Sequence, residues 1–132
     1  MNSHRLLPTV FISLIALAAV AAPDLSKLPP PAAKTGLTFD KDIKPIFEKS
    51  SCFKCHGPEK QKGKLRVDSL LAVLKGSENG EILSKGDSKK GMLVLAVSRL
   101  DDDAAMPPEG KGEPLTKEQV GLVRAWIDQG AK

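Results

Sequence analysis

The segment Cys52-Phe53-Lys54-Cys55-His56 constrains this chain more than any other part of it. Two thiols separated by two residues can reach the two vinyl groups of one haem, and a histidine directly after them is placed to ligate the iron from the same side. A small domain that carries such a group folds around it, so the motif bears on the core as well as on the chemistry. The competing uses of these residues lack parts. A structural zinc site takes four Cys, His or carboxylate ligands. The sequence holds two cysteines and two histidines, and His4 lies in a segment expected to be removed. A thioredoxin-like Cys-x-x-Cys belongs in the strand-to-helix turn of a βαβ unit, and no parallel sheet is readable here. A Cys52–Cys55 disulfide is the other alternative, and it leaves His56 without a role.

The rest of the composition agrees with a core that needs completing. The chain has 132 residues, which suits one domain. After residue 21 it contains four aromatics, Phe39, Phe47, Phe53 and Trp126. A domain of this size buries only about two-thirds of its unfolded surface, so a bound group is a useful staple. Two cysteines make one disulfide at most, which excludes a disulfide-rich scaffold. No apolar run reaches the roughly 18 residues of a membrane span, which excludes a polytopic membrane protein. The formal charge is +4, and removal of residues 1–21 would take away Arg5 alone and leave +3. Acids are interspersed throughout. Nucleic acid binding shows a dense basic stripe with stacking aromatics; neither is present, so no nucleic acid partner is expected.

The N-terminus reads as an export signal. Arg5 supplies the positive start, 10–20 the apolar stretch, and Ala19-Val20-Ala21 the small-x-small cleavage pattern. The expected organisation is a signal peptide over 1–21, a Pro-rich tether over 22–37 and one domain over 38–132. The tether, with Pro29-Pro30-Pro31, reads as stiff and extended rather than packed. Export also suits the motif, because covalent haem attachment takes place outside the cytoplasm; the expected location is periplasmic or otherwise extracytoplasmic. The alternative is an uncleaved anchor over 6–22, which would hold the domain near a membrane.

The domain reads as all-α, with about four short helices and long loops. Phe39, Ile43, Ile46 and Phe47 share one face of a first helix ending near Lys49, with Asp40 or Asp42 as its cap and Pro45 tolerable only in its first turn. A second helix is predicted over 69–75, stopped by Gly76. A third is predicted from an Asp87-Ser88 cap to about Leu100, with Met92 and Leu93 among its core residues. Thr116 and Gln119 form a capping box for a last helix over 117–129, whose apolar face is Val120, Val123, Trp126 and Ile127. Trp126 is expected to pack on Phe39 or Phe47.

Beyond residue 21 there is no second histidine, so a methionine is the natural donor opposite His56. Met92 lies in an apolar helical run, where packing is the plainer reading. Met106 lies in Ala-Ala-Met-Pro-Pro, where two prolines forbid a helix and stiffen the loop.

These residues bring a family into view. Cys-x-x-Cys-His-Gly is followed by Pro58-Glu59-Lys60-Gln61-Lys62-Gly63, then by Leu65-Arg66-Val67-Asp68-Ser69, Gly86-Asp87, Met106-Pro107-Pro108 and Trp126-Ile127-x-x-Gly130-Ala131. The set resembles the planctomycete-type cytochrome c domain, related to class I cytochromes c. The resemblance implies a small cytochrome c-like fold around one covalent haem c. It implies Cys52 and Cys55 as thioether sites, His56 as proximal iron ligand and Met106 as distal ligand. Arg66 is a candidate contact for a haem propionate, since its fork matches a carboxylate; an exposed surface arginine is the equal alternative.

A six-coordinate iron has no open site for a substrate, so the expected role is an electron carrier and not an enzyme, with redox proteins as partners. Lys54, Lys60, Lys62 and Lys64 surround the motif and could steer an acidic partner, although a solvated polar loop is the plainer reading. The alternative function is a haem protein with a labile methionine that acts as a small-ligand sensor or weak peroxidase. A disulfide-bearing structural module is the third reading.

Overall fold

The computed structural model describes residues 21–132. The signal peptide expected over 1–21 therefore lies, Ala21 excepted, outside the described residues. Among the described residues there are four α-helices and no strand: α1 (Lys44–Lys49), α2 (Leu70–Lys75), α3 (Met92–Ser98) and α4 (Lys117–Asp128). None of these helices is long and apolar enough to cross a membrane.

A single wide turn, Phe39–Ile43, leads into α1, and Pro45 sits in the first turn of that helix. Thr38 is the residue before the turn, and Asp42 reaches back to it. The Asp42 carboxylate accepts the Thr38 N–H at 2.9 Å and the Lys34 ammonium at 2.6 Å. These two donors hold its pKa below the usual carboxylate value. α2 begins at the Ser69 cap, whose hydroxyl accepts the Ala72 N–H at 3.2 Å. α4 has the full Thr116–Gln119 capping box.

α3 starts later than the Asp87-Ser88 signal predicts. Ser88 is spent elsewhere: its N–H and hydroxyl both donate to the Asp128 carboxylate, at 2.7 and 3.1 Å. The Asp87 carboxylate accepts the Lys89 N–H and closes a local turn. The helix therefore opens at Met92, directly after Gly91.

Trp126, Phe39 and Phe47 are almost fully buried and form the centre of the core. The Phe39 ring lies 5.7 Å from Trp126 and 6.3 Å, edge-on, from Phe47. Such pairs add about 0.5–1.5 kcal/mol beyond the area they bury.

The Pro-rich segment is not the free tether its composition suggests. It lies against α4, with Leu28 and Leu37 buried in the core. Ala32 N–H donates to the Gly121 carbonyl at 2.9 Å. The Gln129 side chain accepts the Leu37 N–H and donates to the Lys34 carbonyl. The buried Arg124 guanidinium donates to the Pro29 carbonyl and, at 3.0 Å, to the Ser88 hydroxyl. Prolines lack an N–H but keep their carbonyls, and here α4 supplies the donors.

Candidate functional site

After α1 the chain reverses through Ser51, which holds a left-handed φ of 61°. Residues 52–54 then form one tight turn. Its hydrogen bonds are local. The Cys52 carbonyl accepts the His56 N–H at 2.9 Å and the Cys55 N–H at 3.2 Å. The His56 carbonyl accepts the Val67 N–H, and the Cys55 carbonyl accepts the Lys62 N–H, both at 2.9 Å. With the Lys54 N–H donating to the Ser51 carbonyl at 3.1 Å, these bonds close within residues 51–67. Gly57 is required by close approach: a Cβ there would lie 2.2 Å from the Phe53 carbonyl oxygen.

Beside this turn a cavity of about 290 Å³ opens between the motif, α3 and the 104–106 loop. Its wall is mostly apolar, with Phe47, Leu65, Val67, Ile82 and Leu93 among its residues. Cys52, His56 and Met106 all face it. Three of the four residues predicted to hold a cofactor, separated by up to 54 positions, are therefore brought to one space. Cys55 follows in the same turn, half-buried, and does not line the cavity.

The thiols of Cys52 and Cys55 are both free. Burial pushes the Cys52 thiol up to about 11, with Cys55 adding a smaller upward push. Among the described residues no three His, Cys, Asp or Glu stand close enough to hold a metal ion, which removes the zinc alternative there. His56 Nδ1 is buried and has no hydrogen-bond partner among the described residues. A buried imidazole nitrogen left this way is costly. A haem iron ligated by His56 fits that ring, an apolar chamber and a neighbouring thioether.

One expectation changes. Met92 was expected in the core, yet it is 48% exposed and lines the cavity. The late start of α3 makes it the first helical residue, and Leu93, Val94 and Val97 take the core positions. Arg66 does not line the cavity. Its Nε–H and one Nη2–H are forked onto the Asp68 carboxylate at 2.9 and 2.7 Å, which leaves the Nη1 donors for a further acceptor. The Arg66 contact depresses the Asp68 pKa.

The cavity also has a polar rim, Ser77, Asn79 and Glu81, on the turn after α2. The Asn79-Gly80 pair marks that turn in the sequence, but only the fold brings it to His56. Lys54, Lys60, Lys62 and Lys64 are all exposed.

Comparison with known proteins follows the same lines. Residues 52–110 match the family model described as Planctomycete cytochrome C. No curated protein sequence matches the chain. Among solved structures, the Kuenenia stuttgartiensis Hydrazine Synthase is similar at a TM-score of 0.44 and 24% identity, over 72% of this chain. The chain spans 16% of the length of that protein.

Proposed function

We propose that this chain, whose residues 52–110 match the Planctomycete cytochrome C family model, carries single electrons as an exported, mono-haem c-type cytochrome. The observation that carries the reading is the convergence of Cys52, His56 and Met106 on one apolar cavity, with His56 Nδ1 buried and unpartnered. A covalently bound haem supplies a reversible one-electron iron couple.

The chain's own residues have distinct tasks. Cys52 and Cys55 hold the group as thioethers. His56 ligates the iron, and the turn closed by Cys52 and Val67 fixes where that ring stands. Met106 would supply the iron's other protein ligand, and a thioether there raises the potential relative to a second histidine. Phe47, Leu65, Val67, Ile82 and Leu93 keep water from the group, and burial of this kind is a second lever on the potential. The four exposed lysines at 54, 60, 62 and 64 suit an acidic redox partner, by steering rather than by tight contact. The leader over 1–21 delivers the chain to the periplasm.

The test uses protein exported from a host that matures c-type cytochromes. Its mass should include one haem, its redox titration should be reversible, and its ferric spectrum should show a sulfur–iron charge-transfer band. Met106→Leu should abolish that band and Met92→Leu should keep it. An unmodified mass would return the structural-module reading. A parent spectrum with no such band would favour the small-ligand sensor or weak peroxidase.

A further inference from the structure

We infer that Arg99 is a positioning residue that holds the Met106 loop against the cavity. The inference rests on Met106 being an axial ligand. α3 ends at Ser98, and Arg99 follows with a left-handed φ of 58°. That conformation is uncommon for a residue with a Cβ. It turns the chain back, and the Arg99 guanidinium donates to the carbonyl of Pro107. One residue earlier, the Met106 N–H donates to the Ala96 carbonyl at 2.9 Å. The last turn of α3 thus grips both sides of the peptide that follows Met106.

The intervening loop has little hold of its own. Asp101 accepts the N–H of Asp103 through its carboxylate and that of Ala104 through its carbonyl, both within the loop. On the other side Pro107 is buried. A Cβ on Gly112 would meet the Pro107 ring at 3.4 Å and the Ser50 carbonyl at 2.4 Å. Pro107 is therefore seated between Arg99 and Gly112, which itself lies against the Ser50 carbonyl. Arg99 itself does not line the cavity. It acts on the ligand through the backbone next to it.

A hydrogen bond from a charged donor is worth enough to change an equilibrium roughly tenfold or more. Loss of the Arg99 contact should raise the fraction of molecules with Met106 off the iron by that factor. The ordering of a loop opposes any bond made by that loop, and Arg99 offsets part of that cost.

The experiment compares parent holoprotein with Arg99→Asn, Arg99→Gln, Arg99→Lys and Met106→Leu. Asparagine tolerates the left-handed conformation but is too short to reach Pro107. Glutamine is the second variant should Arg99→Asn accumulate no holoprotein. Cyanide binding to the ferric protein reads how often the methionine leaves. Amide exchange of Met106 reads the loop directly. Arg99→Asn should speed cyanide binding roughly tenfold and speed Met106 exchange by a similar factor. Its urea midpoint should stay close to that of Arg99→Lys, and the lysine should restore slow cyanide binding. Parent-like cyanide and exchange rates in Arg99→Asn and Arg99→Gln would overturn the inference. So would faster binding that lysine does not rescue. If Met106→Leu keeps the sulfur–iron band, the axial-ligand reading itself has failed. If it loses the band while the Arg99 variants behave as the parent, only the positioning role has failed.

Discussion

The indole N–H of Trp126 and the backbone N–H of Phe39 end on one oxygen, the carbonyl of Lys132, at 2.9 and 2.7 Å. The same two residues stack, 5.7 Å between ring centroids. Lys132 thus joins the turn before α1 to the last turns of α4. Trp126→Ala should cost on the order of 3–5 kcal/mol in urea unfolding. Trp126→Phe keeps most of the stack and loses the N–H, so its cost should be nearer 1 kcal/mol plus the lost volume. Equal costs for the two variants would show that the stack contributes nothing beyond the hydrogen bond.

Gly57 is the second point of sensitivity. A methyl group there meets the Phe53 carbonyl at 2.2 Å, and the obstacle is backbone, which cannot rotate away. Gly57→Ala should therefore open the turn that fixes His56. Haem content per mole of purified protein should fall well below parent, whereas Gly63→Ala, which meets nothing within 4 Å but must take a left-handed φ of 64°, should cost only about 1–2 kcal/mol of backbone strain and keep its haem. Undiminished haem content in Gly57→Ala would show that the turn yields.

The Pro-rich segment should behave as part of the domain. Deletion of residues 21–37 removes the buried Leu28 and Leu37, each worth about 1.5–3 kcal/mol, and strips the Pro29 carbonyl from Arg124. The shortened protein should unfold at clearly lower urea than the parent. Arg124→Met in the full chain should cost about 1.5–3 kcal/mol through its lost bonds. An unchanged midpoint after deletion would make the segment a passenger.

Asp42 gives a pH dependence with a definite sign. Its folded pKa lies below the ordinary 3.8, first because of the Lys34 hydrogen bond and then because of the Thr38 N–H. A depressed carboxylate stabilises the fold above the unfolded pKa, and that share is lost as pH falls through the folded value. Stability should drop below about pH 4, and Asp42→Asn should flatten that part of the profile. A mutant profile parallel to the parent's through this range would remove Asp42 from the account.

What could be read from the sequence was what local chemistry decides. The Thr116–Gln119 box, the Gly76 stop and the Trp126 face of α4 lie within a few residues of their causes, and each was legible. The start of α2 falls one residue later than expected, at Leu70 with Ser69 as its cap where Asp68 was the expected signal. The cysteine turn was legible too, since its bonds close inside residues 51–67. The rest depended on distant partners. Asp87-Ser88 has the composition of a helix cap, but Ser88 is claimed by Asp128, 40 positions away. Three prolines carry no periodicity, and their acceptors meet α4 at a separation of 95. Arg66 and Arg99 look alike in the sequence. The first is taken by Asp68 two residues on, and the second reaches across a loop to Pro107.

The packing of the Pro-rich segment also fixes how far this domain can travel. Extended at about 3.1 Å per residue, the stretch over 22–37 would let the domain range on the order of 50 Å from whatever lies before it. Clasped on α4 by Gly121, Arg124 and Gln129, it adds almost no leash. If the preceding residues stay in a bilayer, the domain rests at that surface and meets other membrane proteins by lateral diffusion. If they are cut away, the same clasp leaves a compact particle with no trailing arm.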